Sequence, residues 1–235
     1  MVEMGSVAAA YDAVAEQYDS SYSQKKSRAE DLIVLDAVRA LDIGGRRVED
    51  LGCGTGFLLD HIRISPRYYH GVDISPGMIA RARAKHPLHG FQIGQMEATE
   101  TKSDSVDVAV SLFGAFSYAE PREAVRELAR TLVPGGRFLV MVLGRRYRSR
   151  ESYILKGSGV AKRLYREVEL RDLFDVSDFE YIQVRGLSCL VDALPEWLPQ
   201  RFFDLYAAIE HKMLGWLLPD ANYFLMVSGR KRGDT

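Results

Sequence analysis

Cysteine is scarce in this chain of 235 residues, where Cys53 and Cys189 stand far apart. Neither falls in a metal-ligand or disulfide-framework spacing. That excludes a zinc ribbon or a disulfide-stapled scaffold, leaves no metal to expect, and points to a reducing, cytoplasmic setting. Net charge is missing as well. With 31 Lys and Arg against 32 Asp and Glu, nothing draws the chain as a whole toward nucleic acid or an anionic membrane. No uninterrupted apolar run approaches membrane-spanning length. The opening "MVEMGSVAAAYDAVAEQYD" lacks the basic and apolar regions of a signal peptide. Repeats and low-complexity tracts are absent. These absences leave the expectation of a soluble domain with no membrane partner, and 235 residues suffice for one sizeable core rather than two.

What is present alternates. Short apolar runs, "RYYHGVD" at 67–73, "FQIG" at 91–94, "VDVAVSLF" at 106–113 and "RFLVMVL" at 137–143, read as strands. Between them, "SPGMIARARAKH" at 75–86 and "PREAVRELARTL" at 121–132 read as helices. Ser75 fits an N-cap with Pro76 at the first helical position. "VPGG" at 133–136 reads as the turn that ends the second helix. Strand, helix and strand in this order predict right-handed crossovers and a parallel sheet covered on both faces. After Gly144 the composition shifts to Arg, Lys and Glu. Two more strands are expected at 179–190 and 223–231. Between these lies an amphipathic insert at 195–219, whose residues Phe202, Leu205, Tyr206, Ile209, Met213, Trp216 and Leu217 fall on one helical face, opposite Asp204 and His211. The basic run "RRYRSR" at 145–150 is a candidate grip for an anionic substrate, or simply a solvated loop.

The informative stretch is "RRVEDLGCGTGFLLDH" at 46–61, where Asp50 stands directly before Gly52, Gly54 and Gly56. Glycine loops at strand ends usually cradle phosphates. An acid at the mouth would repel that cargo, so the loop calls for a partly cationic ligand. A dinucleotide fingerprint would want its third glycine at 57, which is Phe. Asp73 ends the next strand, about where an acid hydrogen-bonds ribose hydroxyls in nucleotide-binding sheets. The two acids together describe a nucleoside carrying positive charge. S-adenosylmethionine, with its ribose, sulfonium and ammonium, is such a molecule.

The successive segments "VEDLGCGTG", "GVDISPGMIARAR", "GQMEA", "DVAVSLFGAFSYA" and "LVPGGRFLVMV" resemble the motifs of class I S-adenosylmethionine-dependent methyltransferases from about Val48 to Val142. "YDAVAEQYD" is similar to the segment that folds over the cofactor in small-molecule members. The resemblance implies a Rossmann-like, doubly wound α/β fold: a mostly parallel seven-stranded sheet with an antiparallel last strand. The whole chain, 1–235, would be one methyltransferase domain. It would consist of a helical cap at 1–45, a cofactor-binding core at 46–144, and C-terminal strands at 145–235 with a substrate lid at 195–219. By position it implies that Asp50 and the backbone at Gly52 and Gly54 hold the methionine part, that Asp73 holds the ribose, and that Ile74 and Met78 flank the adenine. Gln95, where the family usually has Asp, would bind the adenine edge with Met96, Leu112 would lie beside the sulfonium, and Tyr18 would close over the ligand.

Each residue also has a plainer use. Ile74, Met78 and Tyr18 suit ordinary packing, and Asp50 and Asp73 could cap helices. Methyl transfer from a sulfonium needs alignment and desolvation more than a dedicated acid or base. A hydroxyl acceptor would need a base, for which His211 or a nearby carboxylate is a candidate, and Tyr118 and His211 are the expected catalytic residues. "SLFGAFSY" at 111–118 resembles the corresponding segment of aminosugar N-methyltransferases, so Phe113, Phe116 and Tyr118 are expected at an acceptor pocket. The expected activity is N-methylation of a small-molecule amine. O-methylation of a hydroxyl or phenol, methylation of RNA or protein with the basic loop as a docking patch, and a non-catalytic cofactor-binding module stand as alternatives. Nucleic acid is not the expected partner, and a homodimer is left open.

Overall fold

A computed structural model describes residues 4–146, 160–175, 178–187 and 194–233. Its centre is a seven-stranded sheet in the order β3-β2-β1-β4-β5-β7-β6, made of β1 (Val48–Leu51), β2 (Tyr69–Asp73), β3 (Gly90–Ile93), β4 (Val106–Ser111), β5 (Leu132–Leu143), β6 (Phe179–Leu187) and β7 (Phe224–Lys231). β1 to β5 pair in parallel, and β7 runs antiparallel between β5 and β6. All four residues of β1 are buried, as befits a central strand with both faces covered. The strand order reverses between β1 and β4. At such a switch point the loops leaving neighbouring strands diverge and open a crevice at the carboxyl edge.

Eight α-helices belong to the described residues: α1 (Met4–Asp12), α2 (Tyr18–Ser21), α3 (Lys25–Arg39), α4 (Phe57–His61), α5 (Pro76–Lys85), α6 (Pro121–Thr131), α7 (Glu167–Asp175) and α8 (Gln200–Leu217). Ser75 caps α5 as expected, its Oγ accepting the Met78 N–H at 3.0 Å, with Pro76 in the first turn. One core layer joins Ile33, Val34, Leu58 and Ile79 to one face of the sheet. The other joins Val125 and Leu128 of α6 and Phe174 of α7 to Phe138 and Phe179 on the opposite face.

Three expectations change. The "VPGG" segment lies inside β5 and not in a turn before it. The strand opens at Leu132 against Val106, then shifts register, with Gly135 at φ +77°, a conformation glycine adopts without strain. Phe116 points away from the crevice into the second core layer, where it meets Tyr165 and Phe174. The helix of the C-terminal insert docks on the face next to the one expected. Phe203, Ala207 and Glu210 are buried, while Phe202, Leu205, Ile209, Met213, Trp216 and Leu217 are exposed.

Small residues decided that last docking. α8 packs on α3 and β6, and Gly215 lies so close to the Gly186 carbonyl that a side chain there would collide with it. Close approach of two backbones selected the side carrying Ala207 and Gly215, and the bulkier apolar stripe was left facing out. Cys189 and most of the basic run at 145–150 lie outside the described residues. Of that run, Arg145 pairs with Glu169 at 3.0 Å and Arg146 donates to the Ala221 carbonyl at 3.1 Å.

Phe174 stacks on Phe138 with centroids 5.1 Å apart, and its side chain is fully buried. Phe174→Ala should lower unfolding stability by about 3 to 5 kcal/mol in denaturant titration, and leave ligand affinity in the remaining folded protein unchanged, because this cluster sits on the face away from the crevice.

Candidate functional site

A cavity of about 700 Å³ runs along the carboxyl edge of the sheet, a volume in the range of small-molecule sites. At one end, Asp73, Ile74, Met78, Gln95 and Met96 come from the ends of β2 and β3. Asp50, Gly52 and Gly54 occupy the middle, and Leu112, Phe113 and Phe224 lie at the β4 and β7 end. Tyr18 and Tyr118 also face it. The chain thus brings together every expected site residue except His211 and Phe116.

The glycine loop explains how. Gly52 (φ +74°) turns the chain out of β1, and a side chain on it would collide with Ala115. Gly54 (φ +55°) has open space where a side chain would project, so its backbone stands bare toward a ligand. The Gly54 N–H donates to Asp73 Oδ2 at 2.9 Å and the Ser75 N–H donates to Asp73 Oδ1 at 2.9 Å. Asp73 therefore ties the loop after β1 to the turn after β2 while facing the cavity. The capping use and the ligand-facing position coexist in one carboxylate.

Asp50 sits deeper. Tyr69 Oη donates to its Oδ2 at 2.9 Å. Burial pushes its carboxyl up to about 7, against the lowering effect of the Tyr69 bond and with a further upward push from the charge of Asp73. Burial raises Asp73 too, opposed by the Ser75 and Gly54 N–H groups. Burial also lifts the Cys53 thiol well above its ordinary value, which leaves it inert as a nucleophile. Among the described residues no group of His, Cys, Asp and Glu is placed to hold a metal ion, and no helix is long and apolar enough to cross a membrane.

The N-terminal segment lies across the cavity as a strap. Asp12 Oδ1 accepts from Ser75 Oγ at 2.5 Å and from the Gly77 N–H at 2.7 Å. Asp19 accepts from Thr55 Oγ1 at 2.5 Å and from Lys85 Nζ at 3.0 Å. Tyr11 meets Tyr118 edge-on at 5.9 Å, and Tyr18 lies 5.1 Å from Tyr22. All four rings line the cavity. Tyr18 is the one residue of this segment named from sequence as a site residue. The repeated Tyr-Asp pair, Tyr11-Asp12 and Tyr18-Asp19, is the signal that would have found the rest, since it delivers an aromatic wall and a carboxylate tether at each step. Glu30 and Asp31 of α3, and Phe57 and His61 of α4, were not expected there and line the same cavity.

His211 and the lid need correction. No described residue of α8 lines the cavity. His211 instead packs against β6, its Nδ1 3.1 Å from the Gly186 carbonyl oxygen, an arrangement that makes Nδ1 the protonated nitrogen. Burial lowers its pKa, helped by Arg185 and Lys212. It is a neutral structural histidine away from the site, and the strap occupies the position in which the sequence had placed the C-terminal helix.

Residues 49–140 match a family model described as a methyltransferase domain. The demethylmenaquinone methyltransferase of Renibacterium salmoninarum is 31% identical over 137 residues, 57% of this chain and 57% of that protein. The malonyl-[acyl-carrier protein] O-methyltransferase of Yersinia pestis is 28% identical over 142 residues, 60% of this chain and 52% of that protein. The chain therefore spans just over half the length of these relatives. A structure from Thermotoga maritima, described as a S-adenosylmethionine-dependent methyltransferase and possible histamine N-methyltransferase, superposes with a TM-score of 0.69. It is 20% identical and covers 98% of this chain and 100% of its own.

In the empty protein the raised Asp50 carboxyl contributes most to stability when protonated, and that contribution is lost as pH rises from about 4 through about 7. Asp31, also pushed to about 7, acts in the same direction. Asp50→Asn should therefore flatten the fall in melting temperature between pH 5 and 8. At pH 8 it should leave the empty protein about 2 to 4 kcal/mol more stable than the wild type, measured by calorimetry.

Proposed function

From a chain that carries a methyltransferase domain of the class I fold, we infer a S-adenosylmethionine-dependent enzyme that methylates a small-molecule acceptor, on an amine nitrogen. The observation that carries this reading is the charge of the cavity wall. Asp19, Glu30, Asp31, Asp50, Asp60 and Asp73 line it, against Lys26 alone among described lysines and arginines. Such a wall attracts cations and repels a polyanion, which speaks against RNA as the acceptor.

The residues fit this cofactor. Asp73 keeps lone pairs free to accept from the ribose hydroxyls after bonding Gly54 and Ser75. Asp50 meets the positive charge of the methionine part, and the bare backbone of Gly54 allows close approach. Ile74 and Met78 flank the adenine, the Gln95 amide oxygen accepts from its exocyclic amine, and Met96 closes that edge. When bound, the cofactor supplies a methyl group on a sulfonium, a leaving group that needs no proton. The remaining work is alignment and exclusion of water. Leu112 and the edge-on Phe57–Phe113 pair, 4.8 Å apart, keep the transfer end apolar, and Tyr118, braced by Tyr11, borders it. Transfer to oxygen, for which the Yersinia relative is named, is the competing outcome.

Saturating S-adenosylmethionine, at a hundredfold excess over its dissociation constant, should stabilise the protein by about 2.7 kcal/mol and raise the melting temperature by about 5 to 10 °C, while NAD should leave it unchanged. Incubation of cell extract with methyl-labelled cofactor and the enzyme, followed by mass spectrometry, should place the label on nitrogen in a small molecule. Label on RNA or protein, or no thermal shift, would overturn the reading.

A further inference from the structure

Four of the six carboxylates around the cavity have evident work. Asp50 and Asp73 serve the cofactor side, Asp19 tethers the strap, and Asp60 accepts from Lys85 Nζ at 2.5 Å and lies 2.9 Å from His86 Nε2. Glu30, four residues after Lys26 on α3, has a contact of its own, as does Lys26. Asp31 differs. It lines the cavity half-buried, and among the described residues it has no hydrogen-bond or ion-pair partner. The positive group nearest to it in effect is Arg28 on its own helix, opposed by Glu30.

Asp31 lines the cavity from α3, an element other than those that carry the ribose and adenine residues. α3 packs into the same core layer as Phe57, Phe113 and Phe224, the aromatic residues at the β4 and β7 end. The ribose and adenine residues come from the ends of β2 and β3, on the other side of the switch point. A half-buried carboxylate and aromatic rings that line one cavity offer a charge partner and an apolar wall for one ligand. That combination recognises an organic ammonium better than a neutral alcohol, because rings and carboxylate both favour a cation.

We propose that Asp31 is the specificity-determining residue of the acceptor subsite: it holds the ammonium of an aromatic or alkyl amine against the Phe57, Phe113 and Phe224 wall. This rests on the methyltransferase reading and adds the residue that makes the acceptor an amine. An uncompensated carboxylate is costly to ionise in that position, as burial and Glu30 raise it to about 7, and an arriving cation removes the penalty.

The test uses the full chain saturated with S-adenosylhomocysteine and two probes of one shape, 2-phenylethylammonium and 2-phenylethanol, with binding read by calorimetry and ligand-observed NMR. The wild type should bind the ammonium about tenfold or more tightly than the alcohol. Asp31→Asn should bring the two within about twofold while S-adenosylhomocysteine affinity stays the same, which certifies a folded variant. Equal affinities in the wild type, including no detectable binding of either, or a preference that survives Asp31→Asn, would overturn the proposal. Failure of S-adenosylhomocysteine itself to bind would instead strike the underlying methyltransferase reading.

Discussion

The molecule is organised around negative charge held out of water. Asp50, buried, and Asp73, half-buried, stand at the ends of adjacent parallel strands in the cavity wall, and among the described residues neither has a cationic partner. Backbone N–H groups and one tyrosine hydroxyl offset part of the desolvation penalty. The remainder is left for a ligand. This is why the loop is built of glycine: a bare backbone admits the ligand closely enough to complete the electrostatics that the folded chain leaves open.

The sheet makes that arrangement affordable. Apolar layers cover both faces of the sheet, and the reversal of order between β1 and β4 spreads the loops so that residues from both sides of it share one cavity. The N-terminal strap completes it from above, with Asp12 on the first turn of α5 and Asp19 on the glycine loop. Its anchors are hydrogen bonds and an ion pair rather than a large apolar interface. Such contacts can open without disturbing the core.

The core and the cavity residues after β1, β2 and β3 were legible in the sequence because local rules govern them. Ser75-Pro76 announces a helix start whatever surrounds it, and an acid before a glycine loop keeps its meaning at any position in the chain. The part of the cavity wall drawn from α3, α4 and β7 was not legible, because those elements are distant in sequence and joined only by packing. α8 shows how such a reading fails. Its largest apolar residues define a clear stripe, yet Ala207 and Gly215 permit a closer contact with β6, and contact distance outweighed stripe size. Phe116 was misplaced for a related reason: alternation along "SLFGAFSY" breaks at Phe113 and Gly114, both at positive φ, and the faces exchange beyond them.

The double duty of Asp73 bears on how relatives of this chain should be read. Its carboxylate is part of the scaffold, joining two loops through two backbone N–H groups, as well as part of the binding surface. A chain that bound no nucleoside would still need an acceptor there to hold Gly54 and Ser75 in place. An acid at this position in another chain is therefore evidence for the shape of the loop. Evidence for the ligand has to come from a residue with no such scaffold role, and Asp50, whose carboxyl bonds the Tyr69 hydroxyl and, among the described residues, no backbone N–H, is the more telling of the pair.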